Sequence, residues 1–217
     1  MAIAAMTSIG VLLDMVLIVL QVIRGVQSHF NVATPFDDMV YRIMGFGSTM
    51  IFLAAFVTAI FLLFERRTDR TLIWSLRLGL VIMMFGMFVG FLMTQATPAQ
   101  LVAYHAGHLP PIFGAHSVGV PDGGPGLPFL GGSTTGGDLR IAHFVGLHAL
   151  QVLPFLGWFL SVQRFLRLST GQRVALVWTI GLGYVGLVGS LFWQALRSQS
   201  LIMSGAIILR ARLSTVQ

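Results

Sequence analysis

Cysteine is absent from the 217-residue chain. That excludes disulfides, thiolate zinc sites, iron–sulfur clusters and covalently attached c-type haem, so a bound metal would need histidine, carboxylate or carbonyl ligands. Lysine is absent too, because all 13 basic residues are arginine. Charge of either sign is scarce, with 9% charged against 56% hydrophobic residues and a mean hydropathy of +0.86. Soluble domains carry about a quarter charged residues. This balance excludes an ordinary soluble domain and requires an integral membrane protein. The net charge of +6 lies mostly between apolar runs, so it reads as a topology signal and predicts no nucleic-acid partner.

What is present is a series of apolar runs of bilayer length. A helix needs roughly 20 apolar residues to cross the hydrocarbon core, and five runs qualify: 2–26, 43–64, 71–94, 141–163 and 174–196. The first has no basic n-region and is too long for a signal-peptide core, so it reads as a retained span. The predicted fold is all-α, a polytopic helix bundle forming one transmembrane domain over 1–217. No internal repeat divides it into the two halves that many transporters show.

Arginine placement predicts orientation. The segments "ERRTDR" (65–70) with Arg77, and "RFLRLSTGQR" (164–173), together hold seven arginines and two acids, which places both in the cytoplasm by the positive-inside rule. The amino terminus is then cytoplasmic, and 27–38 and 95–138 are extracytoplasmic. The tail 198–217 contains "LIMSGAIIL", too short to span, and is expected to lie along the interface although Arg210 and Arg212 favour the cytoplasm. In the long segment 95–138, Thr97 and Pro98 signal a helix start and Pro110 a stop. Beyond it, "FGAHSVGVPDGGPGLPFLGGSTTGGD" is rich in Gly and Pro, and its apolar residues predict that it folds back over the bundle. Asp138 is suited to cap the fourth span.

On this topology all six histidines lie in extracytoplasmic segments or in the outer part of the fourth span. His105 and His108 are three apart on the short helix and share a face, whereas His143 and His148, five apart, diverge by about 140°. The candidate ligands are therefore His29, His116, His143 and His148, with His105 and His108 as second choices. Asp37, Asp38, Asp122 and Asp138 are the carboxylates on the same side. A cysteine-free set of this kind suits zinc, copper(II) or iron. Haem b is the rival, held by His143 or His148 together with His29. The competing reading of each histidine is structural, an imidazole bonded to a carbonyl or seated at headgroup level.

Other polar residues in the spans carry less. Asp14 is either part of an ion path or a buried acid tied to a neighbouring helix, and no second acid continues a path. Asp38 and Arg42, four apart, are expected to pair. "GLGYVG" (181–186) fits a dinucleotide-binding pattern but has no preceding strand, so Gly183, Gly186 and Gly189, like Gly86 and Gly90, read as surfaces for helix packing. Pro154 is expected to kink the fourth span.

The stretches "QVIRGVQSHFNVATPFDD" and "AHSVGVPDGGPGLPFLGGSTTGGDLRIAHFVGLHALQ" resemble a family of bacterial multi-pass membrane proteins to which no function is attached. The resemblance includes His29, His116, His143 and His148. It implies a bacterial inner-membrane location, and no activity, cofactor or catalytic residue.

Three functional expectations follow. The first is an integral membrane protein with a histidine-rich metal or haem site on its extracytoplasmic side, an oxidoreductase or a metal-dependent hydrolase. The second is a structural or accessory subunit of a larger membrane complex, with membrane-protein partners or further copies of itself and no cofactor of its own. The third, a small transporter or channel, rests only on Asp14, Gln21 and Arg24.

Overall fold

A computed structural model describes residues 2–66, 69–127, 131–162 and 167–201. The expected interfacial helix, with Arg210 and Arg212, lies almost wholly outside the described residues, as do Arg67 and Arg164 of the two arginine-rich segments. Five long helices carry the apolar runs: α1 (Ala2–Ile23), α2 (Pro35–Phe64), α3 (Arg70–Met93), α5 (Leu139–Val162) and α6 (Thr170–Leu196). A short helix α4 (Pro98–His105) and two two-residue strands, β1 (Ser117–Val118) and β2 (Gly137–Asp138), complete the description. All five long helices are long and apolar enough to cross a bilayer. The chain is an all-α, multi-pass integral membrane protein.

Its contacts gather in two compact units, Met1–Thr68 with Thr94–Gly114, and Asp69–Met93 with Ala115–Gln217. In the first, α1 packs on α2 where Gly10 and Gly47 let the backbones approach, a notional Cβ on Gly10 falling 2.7 Å from Ile51. Asp14 lies in this contact, 3.2 Å from the Ser48 hydroxyl that donates to it. It is thus an acid tied to a neighbouring helix. Near the ends of the pair, Asp37 is buried and accepts from Gln21 at 3.0 Å, from Thr34 at 2.6 Å and from Arg24. The chain then runs antiparallel to itself through Asn31 and Ile112, with Val32 N–H on the Pro111 carbonyl at 2.9 Å and Phe113 N–H on the Phe30 carbonyl at 2.8 Å. The predicted start of α4 is present as a reciprocal cap between Thr97 and Gln100.

In the second unit α3, α5 and α6 form a three-helix bundle, with α3 against α5 the most extensive contact. Small residues set the approach, since a Cβ on Gly86 would meet the Gly146 backbone at 2.8 Å and one on Gly79 the Ala149 carbonyl at 2.9 Å. α5 runs through Pro154, whose ring lies against Gly79. Leu153, Ile82, Ala149 and Val188 close the core. The glycines of "GLGYVG" and Gly189 beyond it divide by role: Gly181 packs on Leu78, while a Cβ at Gly183, Gly186 or Gly189 would meet nothing within 4 Å among the described residues. The expected packing role therefore holds for Gly86 and Gly90 and not for these three, because α6 turns only one stripe toward α3 and α5.

Candidate functional site

One end of the three-helix unit is closed by a cap that two aspartates assemble. β1 and β2 pair antiparallel, Ser117 opposite Asp138, and Gly137 lies directly against the Ala195 carbonyl of α6, where a side chain would not fit. Asp138 is 4% exposed. It caps α5 as expected, accepting from Arg140 N–H at 2.9 Å, and it also holds Ser133 N–H at 2.8 Å. The Arg140 guanidinium neutralises it at 2.6 Å and reaches on to the Gly131 carbonyl, also at 2.6 Å.

Asp122 performs the second closure. One oxygen accepts from His116 N–H at 2.9 Å and from His116 Nδ1 at 3.0 Å, and the other accepts from Ser117 N–H at 2.8 Å. Burial works against the ionised carboxylate, but the hydrogen bonds from His116 and Ser117 outweigh it and hold the Asp122 pKa well below the ordinary range. An ionised carboxylate only accepts, so His116 donates to it from Nδ1.

His116 stands directly over the start of α5, its carbonyl accepting from Leu139 N–H at 3.0 Å. One turn further along α5 is His143. His143 lies over Gly90, where a Cβ would come within 2.9 Å of its Cε1, and its Nδ1 is 2.7 Å from the Gly86 carbonyl. A carbonyl cannot donate, so this ring has its proton on Nδ1. His148 likewise donates from Nδ1, 2.8 Å from the Phe144 carbonyl. It stacks on the Phe144 ring of its own helix at 4.1 Å and is exposed.

The remaining candidates belong to the other unit. His29 Nδ1 is 2.9 Å from the Ser28 hydroxyl. His105 ends α4 with its ring against Tyr104, and His108 follows the helix with its backbone N–H on the Ala103 carbonyl at 2.9 Å. Among the candidate carboxylates, Asp37, Asp38 and Asp138 are each paired with an arginine, and Asp122 with a histidine. The structure thus brings His116 and Asp122 together over the start of α5, with His143 one turn along that helix and His148 on a different face of it. Among the described residues, no three His, Asp or Glu side chains converge as a ready-made metal site.

Sequence reasoning missed Asp122 as the partner of His116. The available signal was a turn, Asp122 standing before Gly123 and Gly124 six residues beyond His116, with Gly123 at φ +86°.

Comparison with known protein families, with curated proteins and with solved structures finds no match to this chain.

Proposed function

We propose that this membrane protein works at the capped end of its three-helix unit, and that His116 and His143 there bind a transition metal, zinc, copper(II) or iron, with exogenous ligands completing the coordination. The observation that carries the reading is the pairing of Asp122 with His116 over the start of α5, one turn from His143. An acceptor holds Nδ1 of each ring, and the Asp122–His116 pair repeats the carboxylate–histidine arrangement that orients imidazole ligands in metal sites. Two protein ligands leave positions open, as activation of water or a change of redox state requires. The arginine-rich segments at the other ends of α3 and α5 favour an extracytoplasmic cap by the positive-inside rule.

The test is metal analysis and an absorption spectrum on detergent-purified protein, followed by titration with zinc, copper(II) and iron(II). About one equivalent per chain is expected, lost in both His116→Ala and His143→Ala and retained in His105→Ala. A Soret band would replace the bare ion by haem. No uptake after titration, or uptake that both variants retain, rules the site out.

A second reading, an accessory subunit of a larger complex, is favoured by the extent of the cap itself. Asp122 and Asp138 tie down 115–127 and 131–138 by hydrogen bonds, a surface suited to docking a partner. A protein that co-purifies at fixed ratio and is lost on altering the cap, with no metal bound, would select it.

A further inference from the structure

The first unit holds a cavity of about 690 Å³ that the histidine chemistry does not use. It opens beside the first turns of α2 and is lined by Asp38, Tyr41, Arg42, Tyr104, Leu109 and Phe113. Pockets of some 300–1,000 Å³ hold small ligands, and this lining combines aromatic and aliphatic walls with one cation and one anion.

The position of the cavity relative to the bilayer follows from α2 alone. The helix has 30 residues, about 45 Å at 1.5 Å per residue, whereas the hydrocarbon core is about 30 Å thick. Its charge-free stretch 43–64 is 22 residues, about 33 Å, and accounts for the whole core. The eight residues Pro35–Arg42, which contain every charge of the helix, therefore extend into the headgroup layer. The cavity opens at that depth, and Phe46, four residues beyond Arg42 on the apolar part of the same helix, is 64% exposed.

The charge pattern narrows the occupant. Arg42 Nε lies 2.8 Å from Asp38, with the two side chains 76% and 35% exposed. An exposed pair of this kind contributes at most about 1 kcal/mol, so a ligand can part it at little cost. A ligand of net single charge would satisfy one partner and repel the other. A zwitterion satisfies both.

We propose that this cavity binds one zwitterionic phospholipid, its phosphate on Arg42, its ammonium between Asp38 and the rings of Tyr41 and Tyr104, and its acyl chains running down the apolar face of α2. The geometry joins a charge-assisted contact to the phosphate with cation–π contact to the ammonium.

Native mass spectrometry of the full-length protein in detergent tests it, with phosphatidylethanolamine and phosphatidylglycerol of identical chains added separately. One phosphatidylethanolamine per chain should be retained at least fivefold more strongly than phosphatidylglycerol. Arg42→Gln, Asp38→Asn and Tyr104→Ala should each reduce that retention severalfold, while Arg77→Gln, outside the cavity, leaves it unchanged. Arg42 and Tyr104 are exposed, so their substitution leaves folding intact, which the melting temperature verifies. Equal retention of the two lipids, or retention indifferent to Arg42 and Tyr104, overturns the proposal.

Discussion

Asp122 shows how one carboxylate fixes a loop without regular structure. Three donors, two backbone N–H groups and one imidazole, converge on its two oxygens, and hydrogen bonds to a charged acceptor are worth roughly 1.5–3 kcal/mol each before desolvation is subtracted. Asp122→Asn keeps the shape and removes the charge, so it should destabilise the cap by about 1–3 kcal/mol, measured as a lower melting temperature in detergent. The pH dependence has a definite sign. The folded-state pKa lies below the usual 3.8, so the carboxylate's contribution is complete above that value and is lost as pH falls through the folded pKa. The stability gap between wild type and Asp122→Asn should accordingly narrow as pH falls below about 4. A gap that widens on acidification would show that the carboxylate is not the group holding the cap.

At the scale of the element, the glycines separate helix faces that composition makes look alike. Gly86 has the Gly146 backbone within 2.8 Å of a notional Cβ, and Gly183 has open space. Gly86→Leu must push α3 from α5 and should destabilise the bundle by at least about 1–3 kcal/mol, whereas Gly183→Leu should be tolerated; paired thermal melts check both. The existence, number and approximate bounds of the five spans were legible because bilayer length and apolar composition are properties of a run. So were the α4 cap at Thr97, the Asp138 cap and the Asp38–Arg42 pair, each a local spacing rule. The packing glycines were only half legible, since which stripe of a uniformly apolar helix meets a neighbour depends on the other helices. Asp122 with His116, and His143 with the Gly86 carbonyl across 57 positions, were not legible, because no spacing rule relates residues that only the tertiary fold brings together.

At the scale of the whole molecule, the arginine distribution and the proposed sites make one joint prediction about sidedness. The absence of cysteine makes the native chain a background for single-cysteine labelling with an impermeant maleimide. Ser28→Cys and Thr134→Cys should label from outside intact cells, and Ser169→Cys only after permeabilisation. The reverse pattern would move the His116–His143 site and the phospholipid cavity to the cytoplasmic face and overturn the extracytoplasmic reading.

The separation in sequence between α3 and α5 bears on how the protein is made. α1 and α2 are 11 residues apart and can pair as soon as the second leaves the ribosome, but the 45 residues 94–138 lie between α3 and its principal partner. At some 5–20 residues per second, synthesis of that stretch alone takes several seconds. Throughout that interval the glycine groove of α3, with Gly79, Gly86 and Gly90, faces lipid or the insertion machinery instead of α5. The largest contact of the bundle therefore waits for the whole intervening stretch to be made, and an insertase that shelters a small-residue groove would hold α3 longer than α1, whose partner follows at once.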